Sequence, residues 1–560
     1  MKIQLAQQNY TVGDFEGNTK KIIGAIQKAK ENGADLVVFT ELSVCGYPSA
    51  DLLNFNEFID NSLKAVHEIA AHADGIAVII GAPERNVSPR GKDLFNSAYF
   101  LFDKKIQTTI QKTCLPNYDI FDEYRYFEPA YEWKTILFKG KKIALTVCED
   151  IWNLGDNPLY RICPMDQLMK EHPDIMINIS ASPFDYTHDE DRKATVKQNV
   201  LKYKLPMVYV NATGAQTQTI FDGLSLVFDK DANLCKQLAQ FDEDEACIIV
   251  DDNGKVDSPI IESNNELPNQ QLDPEKLDPA LNIDQVRKAI IHGIRDYFSK
   301  LGLQKAIVGN SGGIDSAVTL ALACEALGKE NVLSVLMPSQ YSSSHSISDG
   351  EQLCRNLGSP YYILPIENIY HSFLNTLQPV FKNTKPDVAE ENIQARTRGN
   401  ILMAIANKLG CVLLNTSNKS ELSVGYGTLY GDMAGGLSVM GDCYKLQVYE
   451  LARHINKEKE IIPKNIIHKQ PSAELRPGQY DSQSLPPYDQ LDPVLYQYIE
   501  KSREPDEILK MGYNPKVVDL VIRLVNKAEF KRHQFCPILR ISPKAFGPGR
   551  RIPVVARYFK

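Results

Sequence analysis

The chain opens with short apolar runs separated by amphipathic stretches, and this pattern holds through most of its first half. Residues 2–6 read as a strand, 19–32 as an amphipathic helix, and 35–39 as a buried strand. Further strands are expected at 75–81, 105–110, 143–147, 175–177, 207–211 and 223–228. Alternation of strands and helices predicts a layered α/β fold. From residue 251 to 281 the periodicity gives way to a polar stretch. A linker is therefore expected over 251–281, with a boundary near residue 270 between domains at 1–250 and 282–560. Beyond it, 282–300 repeats apolar positions at helical spacing (Ile283, Val286, Ile290, Ile294, Phe298). Strands at 306–308, 332–337, 361–364 and 411–415, with helices starting at 317 and spanning 392–409, predict a doubly wound parallel sheet. Ligands would then bind at the carboxyl ends of its strands. The polar stretch 377–391, with Pro379 and Pro386, is expected to be a loop able to act as a lid. Neither half repeats the other.

Composition narrows the class. At 560 residues, two or three domains are expected, and 43% hydrophobic with 24% charged residues suits a soluble enzyme. A net charge of -8 offers no basic excess for a nucleic-acid partner. The first eight residues are too polar for a signal peptide, and no apolar run approaches the ~18 residues of a membrane span. Eleven cysteines, an odd count without a CxxC pair, indicate neither a zinc site nor a disulfide framework. A reduced, cytoplasmic chain is expected.

The densest chemistry follows the run 306–308: Gly309-Asn310-Ser311-Gly312-Gly313-Ile314-Asp315-Ser316. Glycines let a backbone approach a ligand, and a helix start offers unpaired N–H groups to an anion. Ser311 and Ser316 add hydroxyls, and Asp315 adds a carboxylate suited to Mg²⁺ beside phosphate. No lysine closes the turn, so it is not the GxxxxGK[ST] loop. The stretch resembles the pyrophosphate loop of the ATP pyrophosphatases, which transfer AMP to an oxygen and release pyrophosphate. That resemblance names a reaction type and leaves the substrate open.

In the first half, Glu41, Lys112 and Cys148 each follow an apolar strand. Singly, a glutamate there is usually solvated, a lysine is surface, and a cysteine is packed in the core. Together, Phe39-Thr40-Glu41-Leu42, Lys112-Thr113-Cys114-Leu115-Pro116-Asn117-Tyr118 and Val147-Cys148-Glu149-Asp150-Ile151-Trp152 resemble the nitrilase superfamily, an α-β-β-α sandwich. Amide hydrolysis through a thioester needs a nucleophile, a base and a positive group for the oxyanion. The resemblance implies that Cys148 attacks, Glu41 is base and acid, and Lys112 stabilises the tetrahedral intermediate. A nearby ammonium is also expected to lower the thiol's pKa. In similar glutaminase domains Tyr118, Glu149 and Ser182 grip the amino-acid end of glutamine. The arginine or lysine that often follows six residues after that serine is His188 here, with Arg192 or Lys193 as alternatives.

Asn392-Ile393-Gln394-Ala395-Arg396, Asn415-Thr416-Ser417-Asn418-Lys419-Ser420-Glu421, Tyr430-Gly431-Asp432-Met433-Ala434-Gly435-Gly436 and Pro471-Ser472-Ala473-Glu474 select among the ATP pyrophosphatases. Nearly the whole chain resembles the bacterial glutamine-dependent NAD synthetases. The resemblance implies that Gly309, Ser311, Gly312, Gly313, Ile314, Asp315, Ser316, Met337, Arg396 and Thr416 contact ATP. It implies that Asp315 and Glu421 hold Mg²⁺, and that Asn392, Asp432, Lys445 and Ser472 face deamido-NAD. Ammonia released from glutamine is expected to pass through protein to the second site, in a chain expected to form homo-oligomers. Two rival readings remain at this point: an amidotransferase acting on another carboxylate, and a nucleotide-binding regulator with a silent nitrilase-like module.

Overall fold

Residues 1–154, 159–261 and 274–556 are described by the computed structural model, in which the chain divides into two units, Met1–Asp273 and Pro274–Lys560. The expected boundary near residue 270 lies outside the described residues. On its near side, Val250 bridges Val256 and the Ile261 N–H donates to Leu234 O. On its far side, the carbonyls of Pro274 and Glu275 accept from Tyr496 and Gln497 of the second unit.

The first unit runs β1 (Lys2–Gln7), α1 (Phe15–Glu31), β2 (Leu36–Val38), α2 (Asn56–Ala71), β3 (Ala77–Arg85), β4 (Leu94–Phe102) and β5 (Lys105–Gln111). It continues β6 (Ile136–Phe138), β7 (Lys141–Val147), α3 (Pro164–Leu168), β8 (Ile175–Ser180), α4 (His188–Tyr203), β9 (Met207–Asn211), β10 (Thr213–Gln216) and β11 (Thr219–Asp222). β12 (Leu226–Phe228), β13 (Leu234–Gln237) and β14 (Asp244–Ile249) complete it. Two six-stranded sheets form, ordered β14-β1-β2-β3-β4-β5 and β13-β12-β9-β8-β7-β6. Strand side chains alternate between faces, and here both faces are apolar. Ile3, Leu5 and Val38 meet Leu145, Ile177 and Val210 between the sheets. Ala6, Val37 and Val78 pack outward on Ile22, Ile26 and Val66 of α1 and α2. Met176 and Tyr209 pack outward on Val196 and Val200 of α4. The result is the expected α-β-β-α sandwich. The strand expected at 223–228 begins only at Leu226, because Gly223 and Leu224 take φ of 71° and 53° in the preceding turn.

The second unit runs α5 (Ile283–Lys300), β15 (Lys305–Gly309), α6 (Ile314–Leu327), β16 (Val332–Leu336), α7 (Ser344–Leu357), β17 (Tyr361–Ile363), α8 (Glu367–Phe381), α9 (Val388–Leu409) and β18 (Cys411–Asn415). It goes on α10 (Lys419–Val424), β19 (Leu437–Ser438), α11 (Lys445–Ile455), α12 (Lys464–His468), α13 (Tyr488–Ile499), α14 (Pro505–Lys510), α15 (Pro515–Lys527) and α16 (Glu529–Arg532). Its sheet is ordered β17-β16-β15-β18-β19, every pair parallel. The stretch 377–391, expected as a loop, is largely helical. α8 continues through Pro379 to Phe381, giving up the N–H that would have bonded the Asn375 carbonyl. α9 starts at Val388 because Asp387 and Glu390 cap it reciprocally. Only 382–387 remains a connection. The C-terminal helices share one core, in which Leu491, Val494 and Leu495 meet Val518, Val521 and Val525. Among the described residues no helix is long and apolar enough to cross a membrane.

Candidate active sites

In the first unit three strand ends converge. Glu41 lies in the turn after β2, where Leu42 takes φ of 44°. β3 presses so close to that turn that a Cβ on Gly81 would stand 2.2 Å from the Leu42 nitrogen. Lys112 follows β5. Cys148 follows β7 with φ of 44°, left-handed for a residue with a Cβ, and opens the short turn Cys148–Ile151. Such strain persists where the surroundings over-determine it. Buried Asp150 supplies that constraint. Its Oδ1 accepts from the Thr113 and Cys114 N–H groups (3.0 and 2.8 Å), and its Oδ2 accepts from Val147 N–H at 3.1 Å. One carboxylate thus ties the segment bearing Lys112 to the turn bearing Cys148.

Lys112 is buried and donates to Glu41 Oε1 at 2.7 Å and to Glu123 Oε1 at 2.8 Å. Glu41 also accepts from Asn96 Nδ2 (2.7 Å) and the Ala181 N–H (2.9 Å), while Tyr47 OH donates to Glu123 at 2.9 Å. Glu123, Asn96 and Tyr47 escaped the sequence analysis. Glu123 lies in a stretch without periodicity, and nothing in its local sequence aims it at Lys112. Burial works against the Lys112 ammonium, but Glu123 and Glu41 outweigh it and hold the lysine well above its usual pKa. Burial, and then Glu41, push the Cys148 thiol well above its usual range, and Lys112 only partly opposes them. The expected depression of the thiol's pKa is therefore corrected: the ammonium's charge is already matched by two carboxylates. The thiol rests protonated beside a base.

Glu149 accepts from Tyr118 OH at 2.9 Å and from Tyr160 OH at 3.2 Å, and burial pushes its carboxyl up to about 7. Ser182 Oγ lies 2.8 Å from His188 Nε2, and the imidazole stacks on Trp152 with centroids 5.0 Å apart. Neither alternative cation is available to a ligand. Arg192 is buried against Asp222 at 2.8 Å, and Lys193 pairs with Asp189 and Glu190 at 3.1 and 3.4 Å.

In the second unit the carboxyl ends of β15, β16 and β18 open into one cavity lined by Gly309, Met337 and Asn415. No side chain caps α6, whose first turn leaves N–H groups for an anion. Ser311 Oγ accepts from the Gly313 N–H and lies 3.2 Å from Ser316 Oγ. Gly312 does not line the cavity. At φ of 72° it backs onto α7, where a Cβ would fall 2.2 Å from Ser346 O.

Asp315 Oδ2 and Glu421 Oε1 meet the Lys445 ammonium at 2.5 and 3.4 Å, and Asn418 Nδ2 donates to Asp315 Oδ1 at 2.8 Å. Lys445, expected to face the dinucleotide, lines the same cavity and joins this carboxylate pair. Burial and the Asp315 carboxylate raise the Glu421 pKa, so the pair calls for positive charge. Among the described residues no cluster of three or more His, Cys, Asp or Glu side chains forms a metal cage. Two carboxylates beside the Ser-Gly-Gly turn nevertheless form a hard-oxygen pair of the kind that fits Mg²⁺, an ion that completes its shell with water and substrate phosphates.

Thr416, Asp432 and Ser472 line the same cavity. Asp432 accepts from the Thr428 N–H at 2.6 Å, and Ser472 Oγ donates to Gln479 O. Besides Gly312, two further expected residues lie outside that lining. Arg396 is exposed and donates to Leu429 O at 3.2 Å, because Ala395, Arg398, Gly399 and Leu402 form the helix face toward the cavity. Arg398 is the arginine in the cavity, with Nε on Met337 O at 3.0 Å and its pKa lowered to about 10 by burial. Asn392 accepts from Thr428 Oγ1 at 2.7 Å and is not among the lining residues. Lys469, paired with Glu474 at 2.6 Å, also lines the cavity and escaped the sequence analysis.

The carbon-nitrogen hydrolase family model matches residues 2–252, and the NAD synthase model matches residues 286–535. The chain is 41% identical to a glutamine-dependent NAD(+) synthetase of Synechocystis sp., over 99% of each chain. It is 40% identical to that of Thermotoga maritima, over 100% of this chain and 99% of the relative. A solved glutamine-dependent NAD+ synthetase of Acinetobacter baumannii, in complex with ADP, superposes with a TM-score of 0.76 at 36% identity, covering 99% of this chain and 98% of that one.

Proposed function

Because the chain belongs to the glutamine-dependent NAD(+) synthetases, we propose that its two sites divide one reaction between them. The chain amidates deamido-NAD to NAD⁺, with glutamine as nitrogen donor and ATP as co-substrate. At the first site Cys148 Sγ attacks the amide carbon of glutamine as its proton passes to Glu41. Lys112 faces the oxyanion. Collapse of the tetrahedral intermediate breaks the C–N bond, Glu41 returns the proton, and ammonia leaves. Glu41 then deprotonates the water that hydrolyses the thioester to glutamate. The observation that supports this reading best is the buried Lys112 ammonium shared between Glu41 and Glu123 beside a protonated thiol. A thiol held neutral needs a base at the moment of attack.

At the second site the nicotinate carboxylate attacks the α-phosphorus of ATP, pyrophosphate leaves, and ammonia then displaces AMP from the acyl-adenylate. Asp315 and Glu421 would hold Mg²⁺, whose charge there would offset repulsion between two anionic substrates. Arg398 and Lys469 contribute fixed positive charge to the same cavity. Deamido-NAD labelled with ¹⁸O in its carboxylate tests the adenylate: one label should appear in AMP. NAD⁺ keeps the other label in its amide oxygen, so AMP free of label in the presence of labelled NAD⁺ would rule the adenylate out.

Glu149 predicts a pH effect. Its carboxyl, pushed up to about 7, carries its charge only above that pH. The charged form is the one that can pair with the α-ammonium of glutamine. For glutamine, kcat/KM should therefore fall about tenfold per unit below pH ~7. Glu149→Gln should be weaker at pH 8 and should lose the KM part of this limb. Any limb remaining in kcat would belong to Glu123, which burial also raises. An unchanged KM profile in Glu149→Gln would remove Glu149 from the substrate grip.

A further inference from the structure

Glu421 and Lys445 stand on different helices, and neither helix is fixed by the sheet alone. Glu421 is in the first turn of α10, and Lys445 is the first residue of α11. Both helix starts converge on Asp492, a fully buried carboxylate of α13. Asp492 Oδ1 accepts from Ser420 Oγ at 2.6 Å, and Oδ2 accepts from the Leu446 N–H at 2.9 Å. Ser420 Oγ in turn accepts from the Lys445 N–H at 2.9 Å, closing a ring of three hydrogen bonds. The residues bonded to Asp492 are thus the immediate neighbours of Glu421 and Lys445. The Oδ2 acceptor also satisfies one of the N–H groups that the start of α11 leaves without an intrahelical partner.

The residue that follows α13 grips α10 a second time. Lys419 Nζ, buried, contacts Glu500 at 2.7 Å, Asp442 at 2.9 Å and Ser542 Oγ at 2.7 Å. Glu500 lies just beyond the end of α13. Breaking this multi-partner cluster would unsettle the fold broadly. Asp492 instead makes a local link between two helix starts, and it contacts no group that would touch ATP.

The geometry points to Asp492 as a positioning residue of the ATP-activating site: its carboxylate sets Glu421 and Lys445 opposite Asp315 by joining the first turns of α10 and α11. This rests on the reading of Asp315 and Glu421 given above. Displacements near 1 Å at a reacting centre cost on the order of 10²-fold in rate. In the full chain, Asp492→Ala should lower kcat for ammonium-driven NAD⁺ formation by about 10- to 100-fold, with the KM for ATP changing less than about threefold. Asp492→Asn keeps an acceptor for Leu446 and a polar partner for Ser420, and should restore kcat to within about fivefold of the parent. Ser420→Ala, which removes only the middle of the ring, should fall between them. Mn²⁺ binding in the presence of ATP, read by electron paramagnetic resonance, should weaken in the same order. A thermal melt followed by circular dichroism, compared with the parent for each variant, reports whether the second unit is folded.

Parent-like kcat and Mn²⁺ binding in both Asp492→Ala and Ser420→Ala would overturn the proposal. If Asp492→Ala does not fold, Ser420→Ala decides alone. Glu421→Gln, run beside them, separates the two failures: a silent Glu421→Gln rejects the site reading itself, whereas a severe one with silent Asp492 and Ser420 variants rejects only the positioning role.

Discussion

Replacing Cys148 by Ala is expected to lower glutamine-driven NAD⁺ formation by about 10⁴-fold or more while leaving ammonium-driven formation within about twofold. The nucleophile has no substitute nearby. Cys114 is buried and its thiol is raised by burial, and it sits behind the Asp150 link. Water could attack glutamine directly only with the oxyanion contacts of Lys112, and such residual catalysis is small without the thioester. The substitution removes one sulfur and no charge, so the Lys112–Glu41–Glu123 cluster remains matched. The measurement is NAD⁺ formation from deamido-NAD and ATP with each nitrogen source in turn. Equal loss with glutamine and ammonium would mean that the two chemistries are not separable. Retained glutamine use would move the nucleophile elsewhere.

The complementary loss is expected from Asp315→Ala: AMP formation should drop by about 10³-fold with either nitrogen source, while glutamine hydrolysis survives. Asp315 takes the shortest contact of Lys445 and accepts from Asn418, so its removal leaves that ammonium beside Glu421 alone. It also removes one of the two carboxylates that would hold Mg²⁺. Raised Mg²⁺ should recover part of the activity if metal affinity is what was lost. AMP formation within about threefold of the parent would place adenylation outside the β15–α6 turn.

Part of this molecule was legible along the chain because strand ends are local features. Apolar runs ending in Glu41, Lys112 and Cys148 could be found one at a time, and their order carried the family resemblance. The Ser-Gly-Gly turn between β15 and α6 was likewise visible, since a buried strand, glycines and a helix start follow one another without a gap. The helices were harder to bound. Asp387 and Glu390 form a cap with a recognisable spacing, yet the prolines around them suggested a loop.

What the sequence determined by itself was therefore the set of elements, their alternation, and which residue types stand at their ends. The tertiary structure alone decided which of those groups act on one another. Glu123 meets Lys112, Asn96 meets Glu41 and Tyr47 meets Glu123, all from segments with no motif. The direction of the Cys148 shift is a sum over burial and several charges, so one nearby lysine could not fix it. Arg396 and Arg398 are two residues apart, and only the helix phase against the sheet selects Arg398 for the cavity. Asp492 lies 71 positions beyond Glu421 in the numbering, yet it bonds the serine next to it. The physical reason is common to all four. Electrostatic and hydrogen-bond energies depend on separations of a few ångströms, and folding sets those separations between residues far apart in sequence.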